Sequence, residues 1–595
     1  MPNTERNPNA ECRKGGAGQE SGIGSKALKS PTGFGFGFRF SGFFRTSDFG
    51  LQIYSKLVRL LTSAATKSIA LLAVLAVLLL TACGSRAPRA DLIILNGAEP
   101  ESLDPALFTA QPDGRVIGAL FDGLTRYDPK TGDPIPGLAE RWEITPDGRT
   151  YTFHLRSNLV WSTGEPITAA DVVYSWRRLA DPVNGAGYSS SLYQVKNAEE
   201  IISGKIKDAS RLGIQAVDAR TVRVELTCPA AFFLDLCAYR PLAVVPRQAI
   251  EKYGDQWLMR PPVPVSGPYL LEYWRIHDRI RLRKNPRYWD AANTRSETVD
   301  ILPVESPTTA LNLFISGQAD IIWDKGLIPS ELLDALRPKP YYHAFDYLGS
   351  YFVRMNVTQG PLKDVRVRQA LALAVDKRTI VDKITRGGET IATSFTPTST
   401  RNYTPPTGLG FDPARARQLL AAAGYPGGKG LPTLTYLINT SRQHEQIAIE
   451  LKEMWRRELG VLVEIRQTEF KVYLAEQDKL NYDLCRASWV GDYNDVNTFL
   501  DCFLSQNGNN RTGWKNARYD ELVHQANLEV NRERRAALMR QAETLLVETE
   551  PPIIPLYFYK GITFFDPQRI QGIYFNVIDE HPIAAIWNTR PLARP

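Results

Sequence analysis

Residues 434–465 constrain the fold most strongly, because strand and helix signals alternate there within a short stretch. Residues 434–438 and 461–465 are apolar runs typical of buried strands, and residues 445–459 between them have a helical pattern that ends at Gly460. Two strands joined by a helix normally lie parallel in one sheet. We therefore predict an α/β layer in this part of the chain.

Other segments predict further strands. Residues 91–95 form an apolar run suited to a buried strand, which leads into the turn-rich loop at residues 99–105. Residues 141–145 and 150–155 alternate with period two around a Pro-Asp-Gly turn, which predicts a β-hairpin. We expect strands near both ends of the chain to join one lobe, which would then be built from discontinuous segments.

Three helices are predicted by start, stop and periodicity signals. Thr168 and Asp171 have the spacing of a capping box and start one helix. Asp412 followed by Pro413 opens a second helix, which Gly424 ends. A third helix is indicated by apolar residues that share one helical face, namely Val367, Ala370, Leu371, Ala374 and Val375.

The composition is that of a folded protein, and its charge does not favour nucleic acid. The chain has 595 residues, of which 43% are hydrophobic and 23% charged, which suggests about three to five domains. The net charge is +7, but residues 1–82 hold ten lysines and arginines against four acidic residues, so the remainder is close to neutral. We therefore expect no binding to a phosphate backbone.

The N-terminal region predicts export. Lys67 precedes an apolar run at residues 68–80, and small residues surround Cys83, as in a secretory signal. The run is shorter than the roughly 20 residues of a membrane-spanning helix, which remains the alternative. Residues 80–83, Leu-Thr-Ala-Cys, resemble a bacterial lipobox, in which the cysteine is diacylated and becomes the first mature residue. We expect a monomeric globule tethered by Cys83 to a bacterial membrane, facing the periplasm or cell envelope.

The glycine-rich residues 1–55 fit no part of such a signal, so we expect translation to begin later, near Leu57 or Val58. Export also favours disulfides, and four cysteines remain after Cys83. Three connectivities are possible, of which we expect the local pairs, with free buried thiols as the alternative. These pairs are Cys228 with Cys237 and Cys485 with Cys502. Their spacings are not those of metal ligands, so no metal site is expected.

Catalytic motifs are missing from the sequence. There is no Gly-x-Ser-x-Gly elbow, and His444-Glu445 lacks the second histidine of a zinc-protease helix. Asp492 and Asp495 are followed by Val496 where a calcium loop needs another ligand. We expect no enzyme activity and no cofactor. An exported hydrolase with a carboxylate pair remains the alternative, because such pairs act across space.

Several ordered motifs together resemble the family 5 extracellular solute-binding proteins of ABC importers. They include GLAERW at residues 137–142, DGRTYTFHLR at 147–156, WSTGEPITAAD at 161–171 and RASWVGDYN at 486–494. The resemblance implies a two-lobed, periplasmic-binding-protein-like type II α/β fold, with an extra domain and two hinge segments. The implied boundaries are 84–111, 240–348 and 561–595 for lobe I, 112–239 for the extra domain, and 349–560 for lobe II.

The resemblance also implies site residues, because Trp489-x-x-Asp492-Tyr-Asn is similar to the oligopeptide-binding branch. Asp492 would pair with the peptide α-amino group, and Arg486 and His444 would bind its carboxylate. A further basic position of that branch appears here as Thr385, with Arg386 adjacent, which leaves the preferred peptide length open. The ligand cavity would be lined by Glu99, Tyr188, Phe470, Trp489 and Tyr559.

These expectations combine into one functional hypothesis. The chain would be a lipoprotein that captures short oligopeptides outside the cytoplasm and delivers them to an ABC transporter permease. Alternatives within the family are a dipeptide, a cell-wall peptide, a metal chelate or an opine-like compound.

Overall fold

The computed structural model describes residues 88–108 and 110–589, so the predicted signal and Cys83 lie outside the described residues. The strands in chain order are β1 (Leu92–Leu95), β2 (Thr125–Tyr127), β3 (Pro134–Pro136), β4 (Ala139–Ile144), β5 (Thr150–Leu155), β6 (Ile214–Ala216), β7 (Thr221–Glu225), β8 (Tyr269–Arg275), β9 (Arg279–Lys284), β10 (Thr298–Leu302), β11 (Ile321–Ile322), β12 (Tyr342–Met355), β13 (Thr390–Ile391), β14 (Leu434–Asn439), β15 (Val463–Thr468), β16 (Leu484–Val490), β17 (Ile553–Phe565), β18 (Ile570–Gln571) and β19 (Trp587–Asn588).

The helices alternate with these strands along most of the chain. They are α1 (Gln111–Leu120), α2 (Ala169–Ala180), α3 (Ala198–Ile202), α4 (Phe233–Ala238), α5 (Arg247–Tyr253), α6 (Pro307–Ile315), α7 (Leu333–Leu336), α8 (Val365–Leu373), α9 (Lys377–Thr379), α10 (Pro413–Ala422), α11 (Arg442–Leu459), α12 (Phe470–Asp478), α13 (Asn497–Leu500), α14 (Ala517–Leu528) and α15 (Arg532–Thr544). Within the described residues, no helix combines the length and apolar character needed to cross a membrane.

One large mixed sheet organises the molecule. Its strands lie in the order β15, β14, β16, β12, β17, β11, β1, β10, β9 and β8, with β13 on β17. Strand β14 is parallel to β15, as predicted for the β-α-β segment, and is also parallel to β16. At the other end, β1 is parallel to β10 and β11. Because β11 pairs with β17, segments far apart in sequence complete this part of the sheet.

The long strands β12 and β17 connect the two halves of the sheet. They pair antiparallel along most of their lengths, and their register shifts between Asp346 and Ser350. On one side of the shift β17 pairs with β11, and on the other β12 pairs with β16. The chain thus passes between the halves in two neighbouring strands, whose register shifts a second time between Tyr351 and Phe352.

A smaller sheet forms beside this one. Strands β4, β5, β7 and β6 are antiparallel neighbours, and the predicted hairpin is the pair β4–β5. Helix α2 packs on this sheet around a separate hydrophobic core that contains the fully buried Trp176 and Phe153. The exact boundaries of the domains remain a prediction.

The helix signals read from the sequence correspond to observed ends. Helix α2 starts after Thr168, whose amide donates to Asp171 at 2.8 Å. Asp412 accepts from the Arg415 amide at the start of α10, and Gly460 ends α11 with a left-handed φ of 67°. Helix α8 is shorter than expected and ends at Leu373, although the next two residues of the apolar face are also buried.

The predicted disulfides are wrong, because all four described cysteines are free. Cys485 lies in a small cluster with Leu437, while Cys502 lies in a different hydrophobic core. Cys237 is buried on α4 in the core of the smaller sheet, whereas the Cys228 thiol donates to the side chain of Gln194 at 3.6 Å. Members of each expected pair therefore occupy separate environments.

Asp104 joins three parts of the first half. Its carboxylate accepts two hydrogen bonds from Arg178 of α2, at 2.8 and 2.7 Å, and one from Trp257 at 3.0 Å. It also accepts from the Ala106 amide. The Asp104 and Arg178 side chains are only 4% and 10% exposed. An ion pair this enclosed cannot lose one partner without leaving the other charge unsolvated.

We expect Asp104→Asn to lower the free energy of unfolding by about 3–5 kcal/mol, because Arg178 would keep a buried charge without a counter-ion. The measurement is a urea titration followed by fluorescence. Asp334→Asn is the matched control, because it removes an exposed ion pair with Arg386 and should cost about 0–1 kcal/mol. Equal urea midpoints for the two variants would contradict this prediction.

Candidate functional site

A cavity of about 680 Å³ adjoins the loop that follows β16. Its wall includes Tyr347 at the irregular pairing of β12, Val490 at the end of β16 and Asp492 after it. Tyr188 and Tyr239 from the smaller-sheet region complete this part of the wall. Most charges in this wall are paired with each other, including Arg126 with Asp290, Arg240 with Glu580, and His581 with Asp579. Asp122 has no ion pair but accepts hydrogen bonds from Tyr288 and Trp289, whereas neither an ion pair nor a hydrogen bond satisfies the Asp492 carboxylate within the described part of the wall.

Asp492 is held by its own loop. Its amide donates to the Thr498 hydroxyl at 3.2 Å, and the next residue, Tyr493, stacks on Phe232 with ring centroids 4.3 Å apart. Asn494 then accepts a hydrogen bond from the Arg401 amide at 2.9 Å. These contacts fix the loop on both sides of Asp492 and leave its carboxylate facing the cavity.

The Asp492 carboxylate lacks a counter-charge. Among the described residues, no basic side chain lies within ion-pair distance of it. The side chain is accessible to solvent in the cavity but is surrounded by protein, and this enclosure raises its pKa to about 6. Burial also raises the pKa values of Tyr188 and Tyr239, to which the nearby Asp492 charge adds. Asp492 therefore shares its surroundings with aromatic hydroxyls rather than with cations.

A second group of residues surrounds Arg486 of β16. The guanidinium carbon lies 5.4 Å from the ring centre of Tyr351, and the Tyr473 hydroxyl donates to the Arg486 carbonyl. Burial alone would lower the pKa of Arg486, but the oxygens of Tyr351, Tyr473 and Tyr559 raise it above its ordinary value. In the part of the chain that the structure describes, Arg486 has no carboxylate partner, and its Nε atom is buried without a hydrogen bond.

His444 lies beside this arginine. Its Nδ1 atom is 3.3 Å from the Tyr351 hydroxyl, near the start of α11, where Ser441 forms the N-cap. Burial, followed by the positive charge of Arg486, lowers the pKa of His444 to about 3. The histidine is therefore neutral at physiological pH in this state, and Arg486 is the cationic centre of the group.

The other predicted site residues lie in different places. Tyr188 lines the cavity with Asp492, while Tyr559 contacts Tyr351 and belongs to the arginine group. Phe470 is 51% exposed at the start of α12, and Trp489 is half-buried on β16 with an indole nitrogen that has no partner among the described residues. Their roles remain predictions.

Glu99 and Thr385 are engaged by neighbours. Glu99 accepts from the Trp274 indole at 2.6 Å and from the His277 amide at 2.9 Å, so the β8–β9 hairpin occupies both of its oxygens. The Thr385 hydroxyl donates to Glu389 at 2.8 Å. Arg386 pairs with Asp334. The position where the related branch has a further basic residue therefore supplies no free cation in this structure.

Three tyrosines of the site were not predicted. Tyr239 and Tyr351 come from segments without a recognisable motif, so only strand pairing and packing bring them to the site. Tyr473 lies three residues after Phe470 on α12, and the helical spacing could have indicated it. In the described ranges, no group of three or more histidine, cysteine or acidic residues could hold a metal ion.

Comparisons with known proteins agree with this architecture. The family model for the middle region of bacterial extracellular solute-binding proteins, family 5, matches residues 133–511. The periplasmic oligopeptide-binding protein OppA of Salmonella typhimurium is 36% identical over 491 residues, which cover 81% of this chain and 89% of OppA. The periplasmic murein peptide-binding protein MppA of Escherichia coli is 36% identical over 480 residues, covering 79% and 88%.

A solved structure matches along almost its entire length. The unliganded open form of the murein tripeptide-binding protein MppA has a TM-score of 0.73 and 33% identity, and the match covers 84% of this chain and 98% of that one. The family model spans more than half of the chain, and the relatives align over most of it. The chain therefore belongs to family 5 of the bacterial extracellular solute-binding proteins and has their two-lobed type II α/β fold.

Proposed function

We propose that this protein captures short peptides outside the cytoplasm and delivers them to the permease of an ABC importer. The observation that carries the proposal is a pair of opposite charges, Asp492 in the cavity wall and the half-buried Arg486, neither of which has a counter-ion among the described residues. Enclosed charges are costly unless a partner compensates them. A zwitterionic peptide supplies an ammonium group for Asp492 and a carboxylate for Arg486.

The separation of these charges suits a short ligand. Arg486 lies in β16 and Asp492 follows six residues later, so their backbones are at most about 20 Å apart at roughly 3.3 Å per residue. An extended tripeptide spans about 10 Å, which is within this limit. This spacing favours peptides of about three to five residues and excludes long ones bound by both termini.

Tolerance for different sequences follows from the same geometry. Charged termini and backbone groups are common to all peptides, whereas the surrounding tyrosines offer broad apolar faces with hydroxyl groups. The named activities of the relatives, oligopeptide binding and murein peptide binding, support a peptide cargo. The family consists of substrate-binding proteins rather than enzymes.

Ligand capture would proceed by closure about β12 and β17. These strands carry the chain between the halves, and their pairing is interrupted between Asp346 and Ser350, where small backbone rotations can accumulate. A ligand that bridges Asp492 and Arg486 to groups in the facing lobe would favour the closed state. We further propose that Cys83 carries the lipid anchor of an exported monomer.

A cell-wall peptide is the second candidate cargo. It is favoured by the match to the open form of MppA over almost all of that structure.

The first experiment is therefore mass spectrometry of small molecules released by denaturing the natively purified protein. Heterogeneous short peptides support the main proposal, one murein-type mass supports the second, and cleavage of added peptides would support an exported hydrolase instead.

Asp492→Asn should weaken tripeptide binding more than tenfold, which is over about 1.4 kcal/mol, because the ligand ammonium would lose its counter-charge. Calorimetry with Ala-Ala-Ala and its N-acetylated form measures the effect. Acetylation should weaken binding to the wild type but have little further effect on the variant. Asp382→Asn, on an exposed position, is the control. Unchanged affinity in Asp492→Asn would remove this carboxylate from the site.

Arg486→Gln should reduce the affinity for Ala-Ala-Ala at least tenfold, because the peptide carboxylate would enter the group around Tyr351 without a cation. The C-terminally amidated peptide should bind the wild type weakly and should discriminate little between wild type and variant. Arg442→Gln, at an exposed position on the same helix as His444, is the control. A variant that still prefers the free carboxylate over the amide would contradict the assignment.

Binding should weaken with acid because Asp492 has a free-state pKa of about 6 and must be ionised to hold an ammonium group. Pairing lowers this pKa in the complex, so the affinity should fall up to tenfold per pH unit between about pH 6 and 4.5. The peptide termini do not change charge in that range. The readout is the ratio of wild-type to Asp492→Asn affinity, which cancels contributions from His444. A ratio independent of pH would refute the assignment.

A further inference from the structure

Glu389 is an acidic residue that the proposed site leaves unused. It immediately precedes β13, whose residues Thr390 and Ile391 pair with Phe558 and Tyr557 of β17. Extending this antiparallel register by one residue places Glu389 opposite Tyr559. Directly opposed residues in an antiparallel pair project to the same face of the sheet. Glu389 therefore shares a face with Tyr559, which belongs to the group around Arg486.

The electrostatics of Tyr559 agree with this placement. Burial raises the pKa of the tyrosine, the Arg486 charge opposes that shift, and the Glu389 charge adds to it. Glu389 also contributes to the raised pKa values of Tyr557 and, at the start of β12, Tyr342, after the larger effect of burial. The carboxylate is thus close to the tyrosines that surround Arg486.

Glu389 has no cationic partner. Over the described parts of the chain, no lysine, arginine or histidine nitrogen lies within 4 Å of its carboxylate. The neighbouring Arg386 has a left-handed φ of 52° and pairs with Asp334 at 2.6 Å. The Thr385 hydroxyl donates to one Glu389 oxygen. A hydroxyl satisfies a hydrogen bond but does not neutralise the charge.

The local backbone holds this carboxylate in position. The Glu389 carboxylate occupies space that is open because residue 387 is a glycine. A Cβ atom at that position would lie 2.5 Å from a Glu389 oxygen. Thr385 ends a π-helical segment and is buried, so its hydroxyl is a fixed donor. The half-buried Glu389 is consequently oriented by the turn.

We infer that Glu389 selects peptides with a cationic side chain at the C-terminal residue. Arg486 is the proposed partner of the peptide carboxylate. Glu389 lies opposite Tyr559, which belongs to the group around Arg486. A lysine or arginine side chain that leaves the last residue of the peptide can cover the aromatic ring and pair with Glu389. The C-terminal residue would then present an anion to Arg486 and a cation to Glu389.

This inference rests on the proposed peptide-binding function and refines its substrate class. The alternative is that Glu389 serves only to brace the turn at Gly387. The two differ in what they predict for ligands, because a bracing residue would not distinguish a cationic peptide side chain from a neutral one of equal length.

The test compares Ala-Ala-Lys with Ala-Ala-norleucine, whose side chain has the same stem without the charge, by calorimetry on the wild-type protein. We expect Ala-Ala-Lys to bind at least fivefold more tightly. Lys-Ala-Ala should show no such advantage over norleucine-Ala-Ala, because its side chain projects from the other end of the peptide. An equal affinity for the first two peptides, or an advantage confined to the N-terminal position, would overturn the inference.

Variants then identify the carboxylate. Glu389→Gln should reduce the preference for lysine over norleucine to less than twofold, whereas Asp382→Asn, an exposed acidic residue of the preceding segment, should leave it intact. Glu389→Lys should reverse the charge preference, so that this variant binds Ala-Ala-Glu more tightly than Ala-Ala-Lys. An undiminished preference in Glu389→Gln would refute the role of Glu389. Thermal melting of each variant establishes that it is folded.

The outcome also separates this inference from the function on which it rests. If Ala-Ala-Ala binds and Asp492→Asn weakens it, but lysine gives no advantage, only the role of Glu389 is refuted. If none of the tripeptides binds to ligand-free protein, both proposals fail.

Discussion

The structure depends on two long neighbouring strands that its halves share. Strands β12 and β17 carry the chain from one half of the large sheet to the other, and the register shift between Asp346 and Ser350 lies at the crossing. At that shift the Leu348 amide donates to the Val577 carbonyl, and the Leu348 carbonyl accepts from Gly491, the residue before Asp492. The irregularity at which we propose that the halves bend thus supports the loop with the proposed ammonium partner.

The site differs from the remainder of the protein in how its charges are compensated. Elsewhere, enclosed charges either form ion pairs, as Asp104 does with Arg178, or are satisfied by several hydrogen bonds to protein groups. Lys377 donates to two backbone carbonyls, and Glu543 accepts from two backbone amides and a tyrosine hydroxyl. Asp492 and Arg486 have no ion-pair partner among the described residues, and the lack of one stabilises neither the fold nor the empty site. Such an arrangement is expected where a ligand completes the electrostatics, because the binding free energy then includes the compensation of charges that the protein already encloses.

Features with local causes were predictable from the sequence. The parallel pair β14–β15, the hairpin β4–β5 and the start of α2 follow from periodicity, turn residues and capping, which act over a few neighbouring residues. The disulfides were mispredicted because spacing along the chain does not reveal that Cys485 and Cys502 belong to different cores. The contacts of Glu99 were equally inaccessible, because they come from a hairpin about 175 residues further on.

The sequence by itself determined the α/β class, the family and the motif that contains both Arg486 and Asp492, because these depend on residue order alone. Tertiary structure decided which other residues join them. Tyr351 reaches Arg486 only because β12 pairs with β16, and Glu389 lies opposite Tyr559 only because β13 pairs with β17. Strand pairing between distant segments has no short-range signature, so the charge environment of the site emerges only when the sheet is assembled.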